Sequence, residues 1–179
     1  MPNVISLVRL LCIPLFLWLL FGRDQRVAAA GLLAFLGATD WVDGFIARRF
    51  HQVSTVGKIL DPTADRLLLG VAIVAILVDG SVPAVVAWLA IAREATVSLV
   101  ALVLAALGAR RIDVSWAGKC GTFALMVALP LYLASANRGW AAIIALPIAI
   151  AGLACGWYAA AMYIPQGRRA LAEGRSAAS

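Results

Sequence analysis

Four aspartates are concentrated in one segment of the chain: Asp40, Asp43, Asp61 and Asp65. Offsets of three and four residues bring side chains to one face of a helix, so Asp40 and Asp43 form one pair and Asp61 and Asp65 another. Converging carboxylates repel one another and take up protons unless cations compensate them. Ligation by carboxylates alone selects hard ions such as Mg²⁺ or Mn²⁺, and two such ions suit in-line displacement at phosphorus. The pattern predicts metal-dependent phosphoryl chemistry.

Small residues and an arginine accompany the first pair of aspartates. Gly44 and Ala47 lie on the same predicted helix face and remove side-chain bulk, so that a ligand can approach the backbone closely. Arg48 adds a planar cation that suits a diphosphate. Gly and Ala at this spacing also allow tight helix packing in membranes. Beside four aspartates and an arginine, the ligand-binding interpretation is favoured.

Composition places these residues in a bilayer. Hydrophobic residues make up 64% of the 179 residues and charged residues only 13%, which is far from the balance of a soluble domain. Crossing about 30 Å of hydrocarbon takes roughly 20 apolar residues, and backbone polar groups in lipid must be paired within helices. The chain is therefore predicted to be an all-α, polytopic membrane protein with six spans, near residues 4–21, 27–46, 61–78, 82–107, 114–136 and 140–164. Residues 1–165 are predicted to be one membrane domain and 166–179 a flexible cytoplasmic tail.

Basic residues predict the orientation. With alternating connections, one side receives three of them and the other side nine: Arg48, Arg49, Lys58, Arg110, Arg111, Lys119, Arg168, Arg169 and Arg175. The positive-inside rule makes the richer side cytoplasmic, so both termini and the aspartates are predicted to face the cytoplasm from a cell inner membrane. This distribution also explains the net charge of +6 without a nucleic-acid partner.

The spacing of the aspartates resembles a known signature. Asp40-x-x-Asp43-Gly44-x-x-Ala47-Arg48, eight residues, then Gly57-x-x-x-Asp61-x-x-x-Asp65 is similar at all eight defined positions to the CDP-alcohol phosphatidyltransferase family. The resemblance implies transfer of a phosphatidyl group from CDP-diacylglycerol to an alcohol with release of CMP. It implies that Asp40, Asp43, Asp61 and Asp65 hold two Mg²⁺ or Mn²⁺ ions and that Asp65 is the general base. It further implies a homodimer and a CDP pocket lined by Gly44, Ala47, Arg48 and Gly57.

The acceptor alcohol is less well defined by the sequence. Asp61-Pro62, Ile91-Ala-Arg93-Glu94 and Trp116-Ala-Gly118-Lys119 look like the phosphatidylglycerophosphate synthase branch of the family. A cation within an apolar span usually has an anionic partner. We therefore expect a phosphorylated polyol, glycerol 3-phosphate, whose phosphate is bound by four cations: Arg93, Arg110, Arg111 and Lys119. Arg93 could instead pair with Glu94, and Arg110 and Arg111 could be topological anchors.

Other functions remain open at this stage. Phosphatidylglycerol as acceptor would make the chain a cardiolipin synthase, and an inositol phosphate would make it a phosphatidylinositol phosphate synthase. A divalent-cation transporter would also carry intramembrane carboxylates. All four aspartates are predicted at one membrane face rather than at the midplane, however, and Arg48 is out of place beside a cation path.

Overall fold

The computed structural model is all-α. It describes the backbone of residues 2–50, 57–106, 115–135 and 139–176, and the side chains of residues 8–39, 66–104, 106, 115–135 and 139–163. Six α-helices follow one another along the chain: α1 (Pro2–Leu17), α2 (Arg26–Phe50), α3 (Gly57–Asp79), α4 (Ala84–Ala106), α5 (Trp116–Ser135) and α6 (Gly139–Ser176). The prediction of an all-α chain is confirmed.

The end of the first predicted span is a π-helical segment, Trp18–Gly22, rather than regular α-helix. The Arg23 amide donates to the Trp18 carbonyl over 3.0 Å, and the Arg23 guanidinium lies 5.3 Å from the centre of the Trp18 ring. Glycine is needed here because a Cβ on Gly22 would lie 2.9 Å from Trp18 Cδ1. The wider turn therefore ends the first helix without a bulky side chain beneath the indole.

Three of the described helices are long and apolar enough to cross a membrane: Ala84–Leu104, Trp116–Ser135 and Gly139–Tyr163. Shorter apolar stretches, Val8–Gly22 and Arg26–Thr39, occupy parts of the first two spans. Three of the six predicted spans, α4, α5 and α6, are thus helices of sufficient apolar length among the described residues, and the full count of six spans stays a prediction.

The outer surface of the bundle is apolar. Each helix exposes at least one large hydrophobic side chain: Leu11, Phe35, Val78, Leu102, Phe123 and Ile143, in helix order. Apolar surface this extensive is suited to lipid rather than to water. The interior is also apolar, with Phe16, Ile73, Ile76, Leu129 and Leu133 almost fully buried. The chain is a membrane protein with several apolar helices.

An ion pair joins the start of α2 to the end of α3. Arg26 Nε donates to both carboxylate oxygens of Asp79 over 3.1 Å, and Ser81 Oγ donates to the same carboxylate. Burial alone would raise the pKa of Asp79, but the hydrogen bonds from Arg26 and Ser81 and the charge of Arg26 hold that pKa below its usual value. The hydrogen bond to Asp79 and the negative charge of Asp79 raise the pKa of Arg26. The pair fixes two helix ends on the side away from the four aspartates.

The last helix is longer than predicted. It continues to Ser176, beyond the boundary expected at residue 165, so the predicted tail is helical over most of its length. Alanine, arginine, leucine and glutamate dominate residues 168–175, and these residues are strong helix formers. Whether this segment is mobile stays a prediction.

Candidate active site

The four aspartates lie on two helices. Asp40 and Asp43 belong to the second half of α2, and Asp61 and Asp65 to the first turns of α3. Because α3 begins at Gly57, Asp61 and Pro62 lie inside the helix and not at its start. Both members of each pair therefore lie in one continuous helix, as is required if they are to share a helix face.

Residues near the aspartates on both helices line one small cavity. Gly37, three residues before Asp40, lines a small apolar cavity together with Leu68, three residues after Asp65. Met126 and Leu129 of α5 complete this cavity. Three residues of α-helix rise about 4.5 Å. The backbones that carry Asp40 and Asp65 are thus each within one helical turn of this shared cavity.

Several predicted site residues have side chains outside the described part of the structure: Asp40, Asp43, Gly44, Ala47, Arg48, Gly57, Asp61 and Asp65. Arg110 and Arg111 lie outside the described residues altogether. Among the side chains that the structure describes, no group of three His, Cys, Asp or Glu residues could hold a metal ion. The predicted metal ligands and CDP-binding residues therefore stay predictions.

Arg93 is buried where α4, α5 and α6 meet, with only 5% of the residue exposed. Its Nη1 donates to Glu94 Oε1, and its Nη2 donates to the Gly118 carbonyl over 3.4 Å and to Thr122 Oγ1 over 3.2 Å. Thr122 Oγ1 donates in turn to the same carbonyl over 3.0 Å. We call this group, completed by Gly156, the arginine slot: Arg93, Glu94, Gly118, Thr122 and Gly156.

Glycines create the space for the arginine slot. A Cβ on Gly156 would lie 2.8 Å from Arg93 Nε, and a Cβ on Gly121 would lie 2.8 Å from both the Gly152 carbonyl oxygen and the Gly156 nitrogen. Small residues spaced four apart along a membrane helix, here Gly152 and Gly156 of α6, commonly allow the backbone of a second helix to approach this closely. Sequence reasoning had not included Thr122 or Gly156, although the Gly152-x-x-x-Gly156 spacing signals such an approach.

The start of α5 is capped by a serine. The Gly118 amide donates to Ser115 Oγ over 3.2 Å, which satisfies one of the free donors of the first turn. Lys119 follows directly and is exposed. A cation in the first turns of a helix lies at the unfavourable end of the helix dipole, so Lys119 gains nothing from its position in the helix. Because the Lys119 side chain is exposed, it is accessible to an anionic ligand.

Comparison with known proteins identifies the family to which this chain is similar. Residues 1–153 match the CDP-alcohol phosphatidyltransferase family. A cardiolipin synthase (CMP-forming) from Streptomyces coelicolor is 38% identical over 177 residues, covering 94% of this chain and 82% of the relative. A CDP-diacylglycerol–glycerol-3-phosphate 3-phosphatidyltransferase from Pseudomonas fluorescens is 37% identical over 147 residues, covering 75% of this chain and 72% of the relative. Its counterpart in Escherichia coli is 36% identical over 144 residues, covering 76% and 78%.

These features define a membrane-embedded transferase of phospholipid synthesis. The chain belongs to the CDP-alcohol phosphatidyltransferase family, as the spacing of its aspartates predicts, and it is an enzyme of that class. CDP-diacylglycerol and an alcohol acceptor are its substrates.

Proposed function

We propose that the acceptor is phosphatidylglycerol, which makes the reaction a cardiolipin synthesis. The observation that carries the proposal is the ion pair between Arg93 and Glu94. A soluble phosphate monoester such as glycerol 3-phosphate carries close to two negative charges at pH 7 and needs several cations. One of the four cations predicted for it already has a carboxylate partner inside the protein. The 38% identity with the cardiolipin synthase, extending over 94% of the chain, supports the same acceptor.

Glycerol 3-phosphate is the second candidate and the acceptor that the sequence led us to expect. It is favoured by the exposed Lys119 and by the 37% identity with the Pseudomonas fluorescens phosphatidyltransferase. Lys119, Arg110 and Arg111 are proposed to bind the phosphate of the acceptor in either case. Arg93 is proposed to hold α4 against α5 and α6.

In the proposed mechanism, Asp65 accepts the proton of the acceptor hydroxyl. The freed oxygen attacks the phosphorus that bears the diacylglycerol, forming a new phosphodiester bond as the bond to CMP breaks. Gly44, Ala47 and Gly57 leave room for the nucleotide, and Arg48 balances its diphosphate. Asp40, Asp43, Asp61 and Asp65 offer only hard oxygen ligands, which fits two Mg²⁺ or Mn²⁺ ions. Such ions, when bound, activate the attacking oxygen and neutralise phosphate charge.

The acceptor is tested by following CMP release from CDP-diacylglycerol with purified protein in detergent. Phosphatidylglycerol should support release and yield cardiolipin, whereas glycerol 3-phosphate and inositol phosphate should not. Release with glycerol 3-phosphate alone would establish the second candidate. Release with inositol phosphate alone would exclude both and leave only the family assignment.

The proposed orientation places both termini and the aspartates in the cytoplasm of a cell with the protein in its inner membrane, as a homodimer. Single cysteines introduced as Gln52→Cys and Ala177→Cys, in a variant without the three native cysteines, should react with an impermeant reagent only after lysis. Labelling in intact cells would reverse the orientation.

A further inference from the structure

The peptide bond between Gly118 and Lys119 is held at both of its polar groups. The Gly118 carbonyl accepts a hydrogen bond from Thr122 Oγ1 over 3.0 Å and a second one from Arg93 Nη2 over 3.4 Å. On the other side of the same peptide bond, the Lys119 amide donates to the Ser115 carbonyl over 3.2 Å. A peptide group and its two flanking Cα atoms lie in one plane. These contacts therefore fix the position of the Lys119 Cα in the first turns of α5.

The Thr122 hydroxyl links this peptide group to the buried ion pair. It donates to the Gly118 carbonyl and accepts from Arg93 Nη2 over 3.2 Å, which one hydroxyl can do because it has one donor and two acceptor sites. Arg93 is only 5% exposed, and its Nη1 donates to Glu94 of the same helix. The guanidinium is thus held on α4, and Thr122 connects it to the start of α5.

Lys119 lies on the face of α5 that points toward the aspartate-bearing helices. Lys119 and Met126 are seven residues apart, or roughly two turns, so they share one helix face. Met126 contacts α2 at Gly37, since a Cβ on Gly37 would lie 3.9 Å from Met126 Cβ. Gly37 in turn precedes Asp40 by three residues. In the proposed topology successive helices alternate in direction, which puts Asp40 and Lys119 on the same side of this contact.

The lysine side chain itself does little to fix its own position. Its ammonium sits on a flexible four-carbon stem, and the positive end of the helix dipole does not attract it. The volume that the ammonium can reach is therefore set by the backbone that carries it. A firmly held Lys119 Cα reduces the entropy lost when the ammonium meets an anion.

We infer that Thr122 is a positioning residue: its hydroxyl fixes the peptide group between Gly118 and Lys119 and so places the Lys119 ammonium at the phosphate of the acceptor. Thr122 acts through Lys119 and is not a catalytic residue. The inference rests on the proposed function in one respect, the binding of the acceptor phosphate by Lys119. It holds for phosphatidylglycerol and for glycerol 3-phosphate alike, because both carry a phosphate.

The hydroxyl can be removed with little change in shape. Thr122→Val keeps a branched side chain of similar size and should raise the KM for phosphatidylglycerol about fivefold, the size expected from the net contribution of one hydrogen bond. The KM for CDP-diacylglycerol should not change. Thr122→Ser restores the hydroxyl and should return the acceptor KM close to its natural value. Thr122→Ala removes the hydroxyl a second way, should the valine variant fail to fold.

Thr96 of α4 provides a matched control. Its hydroxyl also donates to the carbonyl four residues earlier in its own helix, that of Ala92, over 2.7 Å. Thr96→Val therefore loses the same kind of intrahelical hydrogen bond, and neither KM should change. Thermal unfolding in detergent verifies that both valine variants are folded.

A double-mutant cycle separates positioning from a general effect on packing. Lys119→Ala should raise the KM for phosphatidylglycerol at least about tenfold, because a charge-assisted hydrogen bond is lost. Adding Thr122→Val to Lys119→Ala should cause no further increase, since no ammonium is left to place. If Thr122 only packed α5 against α4, Thr122→Val would raise the KM by the same factor with or without Lys119.

Three outcomes would overturn the inference. One is an unchanged acceptor KM in the folded Thr122→Val variant, and another is an equal increase in the presence and absence of Lys119. The third is an unchanged KM in Lys119→Ala, which would make this lysine a membrane-interface anchor. Failure of phosphatidylglycerol to release CMP would instead reject only the proposed acceptor. The same cycle is then measured with glycerol 3-phosphate, where the same coupling between Thr122 and Lys119 is expected.

Discussion

Two regions of the protein carry charge within apolar helices, and they do so in different ways. The arginine slot encloses its cation with a carboxylate, a carbonyl and a hydroxyl, so that the charge is balanced inside the protein. The aspartate pairs of α2 and α3 place four carboxylates in two helical segments, and their proposed partners are metal ions from outside the protein. An intramembrane charge therefore indicates a bound ligand only when no group of the protein itself balances that charge.

The largest effect is expected at the aspartates. Asp65→Asn removes the proposed general base, and turnover should fall by about 10²–10⁴-fold. CDP-diacylglycerol should still bind, because three carboxylates remain. CMP release and equilibrium binding of the donor are the two measurements.

Chelation provides the matching test of the metal requirement. EDTA should abolish CMP release by the natural protein, and Mg²⁺ or Mn²⁺ should restore it. Full activity in chelator would mean that the four carboxylates do not act through metal. The aspartates would then need partners within the protein, as Arg93 has in the arginine slot.

The second prediction concerns the arginine slot. Arg93→Met removes the cation and leaves Glu94 largely buried without its partner, which should destabilise the protein by about 3–5 kcal/mol. Replacing both residues, in Arg93→Met/Glu94→Met, should recover most of that loss because no charge is left unpaired. Thermal unfolding in detergent measures both changes.

Normal stability of the Arg93→Met variant would support the role that the sequence predicted for Arg93, which is binding of the acceptor phosphate. If Arg93→Met unfolds at the normal temperature but raises the KM for the acceptor, Arg93 binds acceptor phosphate and the arginine slot is part of the active site. Glu94→Gln serves as a control, since a structural pair predicts a similar loss of stability from either side.

Sequence reasoning succeeded where the chemistry is local. The all-α fold and the helical placement of Asp40, Asp43, Asp61 and Asp65 follow from hydrophobic lengths and from spacings within single helices. The family follows from the same spacings.

Features that depend on contacts between distant helices were harder to predict. Arg93 and Thr122 are 29 residues apart, on α4 and α5, and only the packing of these helices in the bundle brings them within hydrogen-bonding distance. The sequence was compatible with an Arg93 that binds the acceptor phosphate and with an Arg93 that pairs with Glu94. Residue type alone does not show which groups surround a side chain.

A smaller effect is expected at the glycine contact between α5 and α6. Gly121→Ala adds a Cβ that would lie 2.8 Å from backbone atoms of Gly152 and Gly156, so the helices must separate. A loss of about 1–3 kcal/mol in the free energy of unfolding should result, with Arg93 losing part of its enclosure. Gly31→Ala is the control: its Cβ meets nothing within 4 Å, and alanine favours helix over glycine, so stability should stay the same or rise.

The smallest effect concerns the ion pair between Arg26 and Asp79, which lies away from both regions. Asp79→Asn keeps a hydrogen-bonding side chain but removes the charge, and the loss should be about 1 kcal/mol at pH 7 because Arg26 is partly exposed. The lowered pKa of Asp79 gives the sign of the pH dependence. A carboxyl whose pKa is lower in the folded state stabilises the protein above its unfolded pKa, near 3.9, and loses that contribution as the pH falls through its folded pKa.

The difference in stability between the natural protein and Asp79→Asn should therefore be constant at neutral pH and shrink as the pH falls below about 4. Thermal unfolding between pH 3 and pH 7 measures it. Asp24→Asn is the control, because Asp24 also contacts Arg26, over 3.2 Å, but its side chain is 75% exposed. Exposed pairs contribute little, so this variant should unfold like the natural protein. Equal losses in the two variants would show that the charge of Arg26, rather than the buried position of Asp79, holds α2 to α3.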